Sequence, residues 1–264
     1  GAEDIEDKLG LSMLGMVTLV KKKKKDDSPI YFLDSNQNGY AEAMRTVRTS
    51  VVLSGIDKPH KVIMLTSSVP SEGKSTSAIN LAVALGQMDK VLLIDGDMRK
   101  PTIAKVLNLP PNSPGLSNVV AATSTLDDCI LHMEDANIDV LTAGLVPPNP
   151  LELLSSQKFA ELIRSLSEKY DRIIIDSPPT LLVSDSLIMS KVSHAVLYVI
   201  RSDTTAYNTA RTGVNRLLAA KAPVIGVILN KVNMKKAARY YGTYSGYYAY
   251  GDYVYGHAKN KKGD

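Results

Sequence analysis

KVIMLTSSVPSEGKSTSAINLAVALGQM, residues 61–88, decides the fold. KVIMLT (61–66) is a short β-rich run without polar alternation, the pattern of a strand buried on both faces. STSAINLAVALGQM (75–88) reads as a helix, and SSVPSEGKS (67–75) is the turn between them. The P-loop pattern G-x-x-x-x-G-K-[ST] needs its first glycine at position 68, where this chain has Ser68; from there Gly73, Lys74 and Ser75 match. Gly73 lets the backbone turn so that amide N–H groups converge on phosphate oxygens. The helix that begins there adds its positive end. Lys74 places a point charge on the β- and γ-phosphates, and Ser75 offers a hydroxyl to Mg²⁺. Ser71, Glu72 and Thr76 complete the candidate nucleotide contacts in this turn.

Outward from the turn, VLLID (91–95) is another buried strand, ending in Asp95 and followed by Asp97 and Arg99. RIIID (172–176) is a third, ending in Asp176. An aspartate after an apolar strand is the usual Mg²⁺-organising acid of a P-loop NTPase. Three carboxylates at two strand tips beside such a loop repel one another unless a dication joins them. The nucleotide reads as ATP and not GTP. Asn230-Lys231-Val232 is followed by Asn233, so the acid of a guanine-reading N-K-x-D tetrad is missing. Asn230 is either a purine contact or a strand-end turn residue.

IDVLTAG (138–144), HAVLYVI (194–200) and VIGVILN (224–230) read as further strands. YAEAMRTVRTSVVL (40–53), FAELIRSLSEKY (159–170) and TTAYNTARTGVNRLLAA (204–220) read as helices. Residues 101–138 read as helical and loop-like, punctuated by Pro110, Pro111 and Pro114. This turn-taking predicts an α/β fold, P-loop NTPase-like, with a mostly parallel sheet and helices on both faces. Ligands of such sheets bind beyond the C-terminal strand ends. The expected division is an irregular lead-in over 1–39, the P-loop domain over 40–233 and a tail over 234–264.

The composition suits a globular chain: of 264 residues, 44% are apolar and 22% charged, enough to bury a core. The net charge of +4 is concentrated in Lys21–Lys25 and in Lys259, Lys261 and Lys262, and an excess this mild does not imply nucleic acid. Cys129 is the single cysteine, which rules out an internal disulfide and a cysteine-rich zinc site. Leu9–Val20 is apolar but shorter than the roughly 18 residues a membrane span needs. With Gly1-Ala2 read as a cloning remnant, the chain is expected to be a soluble piece of something longer. At the other end, 8 of its 13 tyrosines fall within residues 240–255. Gly242, Gly246, Gly251 and Gly256 dilute them, and no core-forming pattern is present.

These motifs together resemble the bacterial tyrosine kinases. LIDGDMR (93–99) is similar to their extra acidic motif, residues 67–75 to their S-x-x-P-x-x-G-K-S loop, and Asp176–Pro179 to their D-x-P-P strand end. The wider group of septum-positioning and partition ATPases carries a second lysine early in the loop, and this loop has none. The resemblance covers roughly residues 40–255 and implies phosphoryl transfer from ATP to tyrosine. On that reading Lys74 and the loop amides hold the phosphates. Ser75 and Asp176 position Mg²⁺ with Asp97 helping through water, and Asp95 is the candidate base. The roles of Asp95 and Asp97 are exchangeable, because coupled acids resist separate assignment.

The resemblance also implies a contact that closes a ring of subunits through Glu42, Arg45 and Arg48; the plainer alternative is an internal Glu–Arg pair at i, i+3. It makes Tyr240, Tyr241, Tyr244, Tyr247, Tyr248, Tyr250, Tyr253 and Tyr255 the phosphoacceptors. Alternatives for the tail are a hairpin across Gly251-Asp252 or stacking on single-stranded nucleic acid. A flexible chain of about sixteen residues spans roughly 20–24 Å, enough for self-modification or for reaching a neighbour. The implied partners are further copies of the chain, a transmembrane and outer domain, a protein-tyrosine phosphatase and polysaccharide-synthesis enzymes, with no nucleic acid. The implied setting is the cytoplasmic face of the plasma membrane, in regulation of capsular or extracellular polysaccharide. Residues 9–20 and the lysine block would be the connector to the membrane, the lysines either meeting anionic headgroups or forming a solvated linker. Two rivals remain: a partition-type ATPase, and a nucleotide-gated assembly module without tyrosine transfer.

Overall fold

A computed structural model describes residues 4–20 and 28–234. Eight strands follow in chain order: β1 Met13–Thr18, β2 Val62–Ser67, β3 Val91–Asp95, β4 Ile130–Met133, β5 Ile138–Leu141, β6 Arg172–Asp176, β7 Ala195–Arg201 and β8 Val224–Val232. The helices are α1 Asn38–Leu53, α2 Lys74–Gly86, α3 Ile103–Val106, α4 Leu116–Val120, α5 Leu126–Cys129, α6 Pro150–Leu154, α7 Gln157–Lys169, α8 Asp185–Ser190 and α9 Tyr207–Ala219. All eight strands form one sheet in the order β1-β8-β7-β2-β6-β3-β5-β4. Every pairing is parallel except β4 with β5.

The apolar strands are buried along nearly their whole length because helices cover both faces. Met44, Val47 and Val51 of α1 and Ile79 and Leu85 of α2 pack with Ile63, Leu65 and Leu93 on one face. Phe159, Ile163 and Leu166 of α7 and Val214 and Leu217 of α9 pack with Met64, Ile94 and Ile175 on the other. The i, i+4, i+7 spacing in α7 puts its three apolar residues on one stripe. Ser156 caps that helix by accepting the Phe159 N–H.

The sheet order positions the site. β6 lies between β2 and β3, so Asp176 is in register with Leu65 on one side and Asp95 on the other. The P-loop and the two acidic strand ends therefore share one edge of the sheet.

The lead-in departs from expectation. Residues 1–39 are not irregular throughout: Ile5–Leu9 form a π-helical turn and β1 joins the sheet beside β8. Leu14 and Val17 are buried in the core, and Gly15 leaves room for α1, since a Cβ there would lie 2.7 Å from Val47 Cγ2. Residues 13–18 are part of the folded domain rather than a connector. Residues 101–138 also carry an antiparallel edge strand, β4, among the short helices. Among the described residues no helix is long and apolar enough to cross a membrane. The Lys21–Lys25 block and the tyrosines from Tyr240 to Tyr255, expected as phosphoacceptors, lie outside the described residues.

Candidate active site

The P-loop is built by two residues in the left-handed region, Ser71 at φ 69° and Gly73 at φ 92°. Gly73 is required twice over: a Cβ there would be strained at that φ and would meet Asn230 Nδ2 at 2.0 Å. No side chain caps the N-terminus of α2, so its first amides are available to an anion. Ser68, at the position of the pattern's first glycine, is fully buried and its hydroxyl bonds the Tyr198 hydroxyl at 2.8 Å. That contact explains why a side chain is accommodated there.

Two residues read as nucleotide contacts also brace the loop. The Glu72 carboxylate accepts from the Val69 N–H at 2.9 Å and from the Thr205 hydroxyl, so it braces the turn from inside. Asn230 is buried, and its Nδ2 donates to the Glu72 carbonyl at 2.9 Å. Of the two readings of Asn230, the strand-end one has a counterpart in the structure: its amide holds the P-loop. Its neighbour Lys231, missed from the sequence, lines the cavity and donates to the Ser71 carbonyl at 3.0 Å.

Above the loop lies a cavity of about 550 Å³. Lys74, Ser75, Thr76, Asp97, Thr102 and Lys231 are on its polar wall, and Pro178, Pro179, Leu182 and Val183 on its apolar one. Lys74 Nζ donates to Asp176 Oδ1 at 2.8 Å, with the lysine side chain 10% exposed and the aspartate 0%. The cation that meets Asp176 in this structure is thus the P-loop lysine itself. Asp176 Oδ2 is buried without a hydrogen-bond partner.

Asp95 is fully buried and is not on the cavity wall. Its Oδ1 accepts the Asp97 N–H at 3.1 Å, and its Oδ2 accepts those of Thr102 and Ile103, each at 3.0 Å. Burial, and then the charge of Asp176, push its carboxyl up to about 7 against the pull of those amides. Asp97 does line the cavity, and its Oδ1 accepts from the Arg99 and Lys100 N–H groups at 3.2 and 2.9 Å. Burial raises its carboxyl as well. Of the two exchangeable acids, Asp95 organises the loop and Asp97 meets the cavity.

The donor set suits Mg²⁺. Among the described residues no cluster of three or more His, Cys, Asp or Glu forms a metal cage. Mg²⁺ does not need one: it is commonly held by one or two carboxylates, phosphate oxygens and water. The orphaned Asp176 Oδ2, the Asp97 carboxylate and the Ser75 hydroxyl fit that role. The Ser75 hydroxyl accepts from Lys74 Nζ at 3.3 Å and from Thr102 Oγ1 at 3.2 Å.

On α1, Glu42 and Arg45 pair internally at 2.7 Å, and Arg45 also lies 5.3 Å from the Phe32 ring. Arg48 donates to the Ala84 carbonyl at 2.8 Å, at the end of α2. Asn80, missed from the sequence, ties α2 to the lead-in: it accepts the Phe32 N–H and donates to the Pro29 and Thr76 carbonyls.

A family model described as an AAA domain matches residues 60–234. The tyrosine-protein kinase YwqD of Bacillus subtilis is 39% identical over 206 residues, covering 77% of this chain and 86% of that protein. The kinase domain of Escherichia coli tyrosine kinase ETK superposes with a TM-score of 0.81 at 28% identity, covering 88% of this chain and 94% of that one. The septum site-determining protein MinD of Pyrococcus horikoshii, solved with Mg-ADP, reaches a TM-score of 0.56 at 28% identity over 66% of this chain and 71% of that one.

Proposed function

The chain belongs to the family of bacterial tyrosine-protein kinases, and on that premise we propose that it transfers the γ-phosphoryl group of ATP to tyrosines of its own segment 240–255. The observation that carries this is the Lys74–Asp176 pair at 2.8 Å beneath a cavity walled by Asp97 and Ser75. A triphosphate laid on the Gly73–Thr76 amides competes with Asp176 for Lys74. Lys74 would then turn to the β- and γ-oxygens, leaving the Asp176 carboxylate and Ser75 to hold Mg²⁺, with Asp97 helping through water. When bound, Mg²⁺ neutralises charge on those phosphate oxygens.

The tyrosine oxygen attacks the γ-phosphorus from the Asp97 side, a P–O bond forms, the bond to the β-phosphate oxygen breaks and ADP leaves. Phenol titrates near pH 10 and carboxylates near 4, so the phenol is not deprotonated in advance. Its proton passes to Asp97 as the new bond forms, consistent with a loose transition state. The wall of Pro178, Pro179 and Leu182 offers the phenol ring an apolar surface.

Self-association through the Glu42, Arg45 and Arg48 face belongs to the same reading. So do attachment to a membrane-spanning modulator at the inner membrane face and control of polysaccharide export. Full phosphorylation of eight tyrosines would add on the order of −12 to −16 to the tail and oppose assembly by repulsion. The likeness to MinD favours one alternative, a nucleotide switch without tyrosine transfer. Mass spectrometry after incubation with and without Mg·ATP separates them. Multiple phosphotyrosines within 240–255, appearing only with Mg·ATP, are the expected result; nucleotide hydrolysis with an unmodified tail would replace the kinase reading by the switch.

A further inference from the structure

Arg99 follows Asp97 by two residues; it borders the same cavity, but its guanidinium is engaged by Asp185. Its Nε donates to Asp185 Oδ2 at 2.8 Å and its Nη2 to Asp185 Oδ1 at 3.0 Å, a two-pronged contact with both oxygens. Asp185 opens α8 and is fully buried. It is not on the cavity wall. Burying a carboxylate is costly unless it is paired, and here the pairing is to the loop that carries the site acids.

That loop, residues 95–103, is tied tightly to itself. Asp97 Oδ1 accepts the main-chain N–H of Arg99 at 3.2 Å. Arg99 therefore holds the Asp97 carboxylate with its backbone and Asp185 with its guanidinium. From outside, the loop is held by the Gly96 N–H on the Asp176 carbonyl at 2.7 Å and by Thr102 on Ser75. The same helix supports it a second time: a Cβ at Gly96 would meet Met189 Sδ at 2.7 Å, so α8 lies directly against the turn between the two acids. Among the described residues the Arg99–Asp185 contact is the only ion pair joining this loop to α8. Asp176 ends β6 and Asp185 opens α8, so one short connection carries both the acid paired with Lys74 and the acid paired with Arg99.

We propose that Asp185, acting through Arg99, is the positioning residue that sets the Asp97 carboxylate for Mg²⁺. The inference rests on the nucleotide site described above. A partner in this outer position orients a ligating carboxylate, and its loss typically lowers metal affinity by about 10–100-fold.

The test follows binding of a fluorescent ADP analogue as Mg²⁺ is titrated, with thermal melting alongside, for the wild type, Asp185→Asn, Arg99→Lys and Arg99→Gln. The expected result is half-saturating Mg²⁺ raised by about 10–100-fold in Asp185→Asn and Arg99→Gln, with Mg²⁺-free nucleotide affinity unchanged. Arg99→Lys falls between, because it keeps the charge and loses the fork. Phosphotyrosine formation in the variants recovers at high Mg²⁺, which a purely structural defect would not show. Arg99 is partly exposed, so Arg99→Gln carries the test if Asp185→Asn does not fold. Unchanged Mg²⁺ half-saturation in folded Arg99→Gln overturns the proposal. So does a fall in its Mg²⁺-free nucleotide affinity, which would make Arg99 a direct phosphate contact. Mg²⁺ without effect on the wild type would overturn the nucleotide-site reading itself.

Discussion

Two clusters of acids and bases sit at opposite ends of the same sheet. At the C-terminal strand ends, Lys74, Asp176, Asp95 and Asp97 are all buried, one oxygen is orphaned and two carboxyls are raised. At the other end, His132 pairs with Asp139 at 2.6 Å, Tyr170 donates to the second oxygen of Asp139 at 2.6 Å, and Arg172 pairs with Asp89 at 3.1 Å. There the His132 side chain is 56% exposed. Similar residue types thus meet in both places, but the first set is the more deeply enclosed, with Asp95 and Asp176 fully buried. Burial strengthens every charge interaction and makes every unpaired group costly, so the first cluster, with its orphaned Asp176 oxygen, is the more strongly poised for a ligand.

The largest expected contrast comes from Lys74→Met. It leaves Asp176 buried without its cation and is expected to destabilise the nucleotide-free protein by about 3–5 kcal/mol, the range for breaking a buried pair. It should also abolish tail phosphotyrosine. Denaturant titration and mass spectrometry read the two effects, and persistent phosphotyrosine in the pure variant would refute the site assignment.

Next is a pH effect. The Asp95 carboxyl is raised to about 7 in the folded protein from the ordinary 3.8. A raised value means the folded state holds the proton more tightly. The stabilisation is therefore complete below about pH 4 and is lost as the pH rises through about 7. Melting of the nucleotide-free protein should fall across that window, and Asp95→Asn should flatten the slope. An unchanged slope in the variant would assign the proton elsewhere.

The smallest effect is expected at the opposite end of the sheet. His132→Ala should cost no more than about 1 kcal/mol, as for exposed pairs, and leave phosphotyrosine formation intact. A large loss of activity there would erase the contrast between the two ends.

The parts of the fold visible in the chain are those with one dominant signal. β3 and β6 end on Asp95 and Asp176 as read, because unbroken apolar runs closed by an acid have few other interpretations. β1 and β4 were not legible. They are short edge strands, and MLGMVT and ILHM lack both alternation and a strong β run. α6 and α8, at 5 and 6 residues, are too short to show a period. In the site, Glu72 and Asn230 were placed on the nucleotide because their types suit it. In the structure Asn230 bonds the Glu72 carbonyl, and the Glu72 carboxylate bonds the Val69 N–H and a threonine more than a hundred positions away.

What the amino-acid order determined alone is the chemistry available: a glycine turn, a lysine, a hydroxyl and three acids, each at the end of a strand or the start of a helix. Local pattern suffices for that, since turn, strand and helix depend on neighbours along the chain. Which acid faces the cavity, which lies beneath it and which distant aspartate steadies the loop were decided only by the strand order. Placing β6 between β2 and β3 brought Asp176 to Lys74 and buried Asp95, and the cost of a buried charge depends on surroundings that no local window contains.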